Sequence, residues 1–226
     1  MTPRLAPVLI LAASLALCWT LAGHVARAGS AGRVVAANVP SATATPAWDG
    51  VFALPVNPAD GWLYSGGLHG TAEGRDDGLH AVDFWPAARP DCGSPVAEWV
   101  IAVAPGVIDA TGDGWVSQDV GPGSGWLALY YHVGESGRIA TGTTVATGDR
   151  IGHPACVGMA HGAAAHLHFV MSKDGAWVVP PPLGGWTFAA GAEMYTGWAT
   201  GPGGERLCPS SQEWRWPGCK SALPGK

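Results

Sequence analysis

Short apolar runs broken by glycine and proline follow one another along the chain from Trp48 onward. Few of them have the 3.6-residue period of an amphipathic helix, and turn-forming residues separate them at short intervals, so the pattern predicts strands. The candidate strands are HAVDFW (80–85), EWVIAV (98–103), GVIDAT (106–111), GWLALYYHV (125–133) and AHLHFVM (165–171). We expect GWLALYYHV and AHLHFVM to be central in a mostly antiparallel sheet.

Two further segments lack a strand pattern. In IATGTTVATGDRIG (139–152), apolar residues alternate with glycines at intervals of three, which predicts a chain of turns and short β-bridges. Residues 181–226 are rich in turn formers, which predicts an irregular, aromatic-rich cap that contains a disulfide loop. The expected architecture is therefore a single, mainly β domain with little helix, in which this cap covers a core formed by residues 48–180.

The N-terminal residues 1–28 have the pattern of a secretory signal peptide. Arg4 precedes a long apolar stretch, and the sequence A-R-A at 26–28 is a suitable cleavage site. An uncleaved membrane anchor and lipidation at Cys18 are the alternatives. Residues 29–47 are small, polar and almost uncharged, which predicts a flexible lead-in. We expect an exported protein with no stable membrane insertion after cleavage.

The charge of the exported chain argues against one class of partner. Cleavage removes Arg4 and Arg27, which lowers the basic count from 12 to 10 against 17 acidic residues and gives a formal net charge of −7. The sequence has no basic patch, so we do not expect nucleic acid as a partner.

The four cysteines that remain after cleavage predict two disulfides, because an even count in an exported chain is typical of disulfide bonding. Four cysteines allow three pairings. The short separation within CPSSQEWRWPGC favours a local pair, which would leave the other two cysteines to pair with each other. Zinc ligation by cysteine is the alternative, although no C-x-x-C spacing is present. The residues are Cys92, Cys156, Cys208 and Cys219.

Histidines and one aspartate carry the candidate chemistry. His166 and His168 are two positions apart in a predicted strand, so their side chains share a face. Asp83 lies in an apolar strand, where a buried carboxylate needs a cation, a metal or several hydrogen-bond donors. His69 lies in YSGGLHGT, which we expect to be a glycine-flanked loop with little apolar surface to bury the imidazole, and His132 ends a predicted strand. Singly, each has a structural interpretation, but together they can supply the three ligands of a catalytic zinc ion.

Four stretches resemble the lysostaphin-type zinc endopeptidases, and specifically their β-lytic (staphylolysin-like) branch. The order and approximate spacing of these stretches agree with that branch over residues 62–171. The stretches are GGLHGTAEGRDDGLHAVDFW, SGWLALYYH, IATGTTVATGDRIG and AHLHF.

The resemblance implies a fold, a cofactor and a reaction. The implied fold is a largely antiparallel sheet with long loops around an active-site groove. The implied zinc ligands, for one Zn²⁺ per chain, are His69, Asp83 and His168. His166 would then be the general base, and His132 would stabilise the oxyanion and help to protonate the leaving amine. The implied substrate is a peptidoglycan cross-bridge or stem peptide, often glycine-rich, cleaved by a secreted or periplasmic, cell-wall-associated monomer.

Departures from the family pattern leave some assignments open. His80 competes with His69 as the first ligand, but it lies three residues before Asp83, and this spacing places the two side chains on opposite faces of a regular strand. Some relatives have a tyrosine near the reaction centre, and Trp186 is the candidate for that place here, with Tyr195 nearby. Two alternative functions remain open. The protein could be a non-catalytic relative that binds wall peptides or regulates another hydrolase. It could also be a protease that acts on glycine-rich proteins.

Overall fold

The structure, a computed structural model, describes residues 48–225 apart from 71–77, 159–161, 163 and 217. At residues 212–214 it describes the backbone only. The predicted signal peptide (1–28) and lead-in (29–47) lie outside the described residues, so both stay predictions. Within the part of the chain that is described, no helix is long and apolar enough to cross a membrane.

Thirteen strands and two short 3-10 helices form the regular structure of the described residues. The helices are Pro58–Asp60 and Ser210–Arg215. The strands are β1 (Trp62–His69), β2 (Ala81–Pro86), β3 (Val100–Ile101), β4 (Gly106–Gly112), β5 (Trp115–Val120), β6 (Trp126–Tyr131), β7 (Thr144–Val145), β8 (Arg150–Gly152), β9 (Leu167–Lys173), β10 (Ala176–Val178), β11 (Thr187–Ala190), β12 (Gly197–Thr200) and β13 (Arg206–Leu207).

The main sheet has eight strands, and seven of them follow the order β1-β2-β9-β6-β5-β4-β7. β10 pairs with the C-terminal half of β9, and β2 pairs with its N-terminal half. Every pairing in this sheet is antiparallel. The strands β6 and β9 pair with each other in the middle of the sheet, as the sequence predicts for GWLALYYHV and AHLHFVM.

One face of the sheet is the core, and its apolar side chains come from alternate strand positions. Tyr64, Phe84, Tyr130 and Phe169 are fully buried there and represent four neighbouring strands. The Tyr130 hydroxyl donates to Gln118 Oε1 at 2.6 Å, so the phenol and the amide satisfy each other inside the core.

Residues 139–152 form turns together with the two-residue β7 and the three-residue β8, which agrees with the predicted chain of turns and bridges. The cap is more regular than the sequence predicts, because β11, β12 and β13 form a three-stranded antiparallel sheet within 181–226. Trp186 and Phe188 from this region are part of the same hydrophobic core as the main sheet.

Both predicted disulfides are present. Cys92 pairs with Cys156 across 64 residues, and Cys208 pairs with Cys219 across 11. The Cα–Cα distances are 5.3 and 5.9 Å, within the usual range for disulfides. The four cysteines that the structure describes therefore serve as cross-links rather than as metal ligands.

Candidate metal centre and active site

Strand pairing brings Asp83 and His168 together. Asp83 on β2 is directly opposite His168 on β9, and residues opposite each other on neighbouring strands place their side chains on the same face. His168 Nδ1 lies 3.1 Å from Asp83 Oδ1. The Asp83 carboxylate, which lies in an apolar strand, therefore has a hydrogen-bond partner on the adjacent strand.

His69 reaches the same place from the end of β1. The register between β1 and β2 shifts twice, so Gly66 pairs with Asp83 while His69 pairs with Ala81. Such irregularities bend a strand and redirect its side chains. His69 Nδ1–H donates to the Gly67 carbonyl oxygen at 2.7 Å, which leaves Nε2 as the atom directed to Asp83 and His168.

Gly66 and Gly67, the glycine pair before His69, have no room for a side chain, because neighbouring atoms occupy the space that a Cβ would need. A Cβ at Gly66 would lie 2.5 Å from Asp83 Oδ2. A Cβ at Gly67 would overlap the backbone carbonyl of Thr196. Gly66 therefore gives the Asp83 carboxylate its position, and Gly67 allows β1 to approach the cap.

The three side chains present one ligand atom each in a tight triangle. His69 Nε2 is 3.0 Å from His168 Nδ1 and 3.3 Å from Asp83 Oδ1, and all three residues are buried. A tetrahedral zinc ion with bonds of about 2.0–2.2 Å holds its ligands roughly 3.3–3.6 Å apart. The donor set and its spacing therefore fit zinc with small outward shifts of the side chains.

Electrostatics within the triangle favour a charged aspartate. Burial opposes ionisation of Asp83, but the charge of His69 and hydrogen bonds from His168 and His69 hold the pKa of its carboxyl well below the usual range. Burial also opposes protonation of His69, but the nearby Asp83 charge raises the pKa of that imidazole overall. A buried carboxylate held ionised between two imidazoles is ready to bind a cation.

The structure favours His69 over His80 as the first member of the group. Among the described residues, the triad whose ligand atoms lie within 4.8 Å of one another is His69, Asp83 and His168. His80 precedes β2, and its backbone amide donates to the His69 carbonyl oxygen. Its Nδ1 is buried without a hydrogen-bond partner among the described atoms.

His132 and His166 form a second pair next to the triad. Their ring centroids lie 4.6 Å apart, and that of His132 lies 5.9 Å from that of His168. His132 follows β6 and has a φ of 62°, a left-handed conformation that non-glycine residues rarely adopt. Such strained residues cluster at functional sites because the surrounding structure has to hold them.

Backbone carbonyls fix the ring orientation of both members of this pair. His132 Nδ1–H donates to the Val157 carbonyl oxygen at 2.9 Å, and His166 Nδ1–H donates to that of Ala164 at 3.0 Å. In the neutral rings Nε2 then carries the lone pair. Burial and the nearby His166 lower the pKa of His132 to about 4, so its ring is neutral near pH 7.

Of the two aromatic candidates, Tyr195 is at the site and Trp186 is not. The ring of Tyr195 stacks on His69 with a centroid distance of 4.1 Å and an interplanar angle of 25°. Burial and the nearby Asp83 charge raise the pKa of its phenol, which remains 43% exposed. Trp186 is buried in the core, so the proposal that Trp186 takes this place is wrong.

A pocket of about 410 Å³ lies beside the histidine pair. It is lined by residues 91–95, by residues 155–157 and by Ala165, and the disulfide partners Cys92 and Cys156 form part of its wall. Sequence reasoning missed this pocket and the carbonyls that orient the histidines, since their roles depend on backbone contacts and not on side-chain types.

Comparison with known proteins identifies the fold. No family model matches the sequence, and no curated protein matches it. Among solved structures, the chain is similar to pseudoalterin, an M23 metalloprotease from the deep sea, at 24% identity, 71% coverage of this chain, 95% of that chain and a TM-score of 0.60. The lysostaphin catalytic domain from Staphylococcus simulans also matches, at 23% identity, 51% and 81% coverage and a TM-score of 0.37. The likeness to pseudoalterin shows that the chain has the fold of the M23 metalloproteases, and this confirms the predicted mainly β, largely antiparallel architecture.

Proposed function

We propose that this protein is a secreted zinc endopeptidase that hydrolyses peptide bonds in peptidoglycan cross-bridges or stem peptides. The observation that carries the proposal is the convergence of His69, Asp83 and His168 beside a second histidine pair. A purely structural aspartate needs one cation or a few donors. It does not need two imidazole nitrogens that converge on the same carboxylate oxygen.

Three residues would hold the metal through His69 Nε2, His168 Nδ1 and Asp83 Oδ1. Three protein ligands leave the fourth tetrahedral position for water or substrate, the arrangement of catalytic rather than structural zinc. When bound there, zinc supplies Lewis-acid chemistry that lowers the pKa of a water molecule to about 7.

We assign general acid–base catalysis to the pair His132 and His166. His166 Nε2 carries the lone pair, so we assign His166 as the base that takes a proton from the attacking water. His132 is neutral near pH 7 and can donate from Nε2 only after it has gained a proton. We therefore assign His132 to the later part of the reaction, in which it receives the proton that His166 took from the water, stabilises the oxyanion and passes that proton to the leaving amine.

The disulfides support the proposed location, and the sequence motifs support the proposed substrate. Two disulfides are typical of proteins that fold in an oxidising compartment, which supports secretion or a periplasmic location. The peptidoglycan substrate is supported by the likeness of the motifs to lysostaphin-type enzymes. Whether the protein is a monomer stays a prediction.

The test combines metal analysis with turnover by the purified protein. We expect about one zinc ion per chain, release of dye from labelled peptidoglycan, and loss of activity with a chelator that zinc restores. Cleavage of a glycine-rich protein without release from peptidoglycan would favour the protease on glycine-rich proteins. Bound zinc without turnover of either substrate would favour a non-catalytic, wall-binding relative.

A further inference from the structure

The two histidines beside the metal triad, His132 and His166, are called the helper histidines below. The orientation of their rings depends on a part of the chain outside the strands. The carbonyl groups that orient them belong to Val157 and Ala164, which lie outside the named strands. The metal triad differs in this respect, because register within β1, β2 and β9 positions it. Something other than the main sheet must therefore hold the two carbonyls in place.

One short segment, residues 90–92, is attached to both carbonyl-bearing stretches. Cys92 is bonded to Cys156, the residue immediately before Val157. Asp91 forms a β-bridge with Ala164, and the Ala165 amide donates to the Pro90 carbonyl oxygen at 3.0 Å. The same covalently anchored segment thus borders the acceptor of His132 and the acceptor of His166.

The bonded cysteine also lies between two contacts of the histidine pair. Ala155, on one side of Cys156, forms a β-bridge with His166, and its amide donates to the His132 carbonyl oxygen at 2.7 Å. Val157, on the other side, accepts from the His132 ring. Displacement of Cys156 would therefore move backbone groups that hold both histidines.

We propose that the Cys92–Cys156 disulfide positions the helper histidines, so that its loss slows turnover while the metal triad stays intact. The effect on turnover rests on the proposed endopeptidase function, whereas the effect on the histidine rings does not. The disulfide contacts no reacting atom in this scheme. It acts through the carbonyls of Val157 and Ala164.

The chain provides a matched control in its second disulfide. Cys208 and Cys219 link β13 to the C-terminal segment, where the Cys208 amide donates to the Lys220 carbonyl oxygen. The double variant Cys92→Ser/Cys156→Ser is compared with Cys208→Ser/Cys219→Ser. Zinc per chain, circular dichroism, kcat and KM are measured for both variants at a temperature below the melting transition of each.

For the Cys92/Cys156 variant we expect one zinc per chain, a KM within about twofold of wild type, and a kcat reduced by roughly tenfold or more, because positioned acid–base help is worth about 10²–10⁴-fold. The control variant keeps kcat. A rise in KM with an unchanged kcat would indicate that the disulfide only shapes the pocket wall, and this result would contradict the proposal. Loss of zinc from a folded variant, or an unchanged kcat, would overturn the proposal.

Reduction of the folded wild type avoids any failure of the variant to fold. Cys92 is exposed and Cys208 is buried, so a phosphine reductant reaches the first disulfide more readily. The phosphine gives up two electrons and becomes the phosphine oxide with an oxygen from water, while the S–S bond becomes two thiols. We expect kcat to fall on reduction of Cys92–Cys156 and to recover on reoxidation. Unchanged turnover after complete reduction would contradict the proposal.

The ring tautomer gives a readout that needs no substrate. Long-range ¹H–¹⁵N spectra distinguish an imidazole protonated at Nδ1 from one protonated at Nε2. We expect one Nδ1–H form for His132 and His166 in the wild type and mixed or broadened signals in the Cys92/Cys156 variant. An inactive wild type would refute the endopeptidase, but identical tautomers in wild type and variant would refute the positioning role.

Discussion

Substitution of Gly66 by alanine tests whether Asp83 is a metal ligand without any change to the ligand itself. The new Cβ would lie 2.5 Å from Asp83 Oδ2 and 3.0 Å from its Cβ and Cγ, whereas real Cβ contacts essentially never fall below 3.0 Å. The carboxylate must therefore move by about 0.5 Å or more, and zinc ligands tolerate deviations of only about 0.2 Å. Misplaced support of a ligand typically costs 10–100-fold in metal affinity, about 1.4–2.8 kcal/mol.

The assay is a zinc titration of the metal-free protein against a chromophoric chelator. Gly66→Ala is expected to bind zinc 10–100-fold more weakly and to lose about 1–3 kcal/mol of folding free energy from overpacking. Gly201→Ala is the matched control, because its Cβ would also meet a carboxylate, that of the exposed and flexible Glu205. Zinc affinity of Gly66→Ala within about twofold of wild type would refute the argument that Asp83 is held in place as a ligand.

The remaining predictions concern the other members of the site. His168→Ala is expected to be purified without zinc, whereas His166→Ala keeps zinc and loses about 10²–10⁴-fold in kcat; a zinc-free His166→Ala protein would contradict the assigned roles. Tyr195→Ala removes the ring stacked on His69, worth about 0.5–1.5 kcal/mol, and should weaken zinc binding roughly 2–12-fold, while Tyr195→Phe keeps it. A chelator should lower the melting temperature of wild type, since zinc stabilises only the folded state, and should leave that of His168→Ala unchanged.

The strands that the sequence reveals best are those whose apolar residues form long runs. GWLALYYHV and AHLHFVM correspond to β6 and β9, which are buried in the middle of the sheet. The strand β5, WVSQDV, escaped prediction because Ser117 and Gln118 are buried polar residues. Gln118 is satisfied by Tyr130 and by the Ala104 carbonyl oxygen, partners that only the folded chain brings near.

The site shows the same division between local pattern and tertiary contact. The alternation of His166 and His168 and the isolated carboxylate of Asp83 are local signals, and both point to the metal centre. The sequence does not predict the strand β1, because the pair Gly66 and Gly67 is typical of a turn or loop. In the structure these glycines lie inside the strand, where the Asp83 carboxylate and the Thr196 carbonyl occupy the space of their missing side chains.

Anomalous diffraction from crystals of the zinc-loaded protein, recorded on both sides of the zinc absorption edge, tests the central claim most directly. We expect one anomalous peak per chain, about 2.0–2.2 Å from His69 Nε2, His168 Nδ1 and an oxygen of Asp83. A peak bound by His80 in place of His69, or an active enzyme without a peak among these three side chains, would contradict the account.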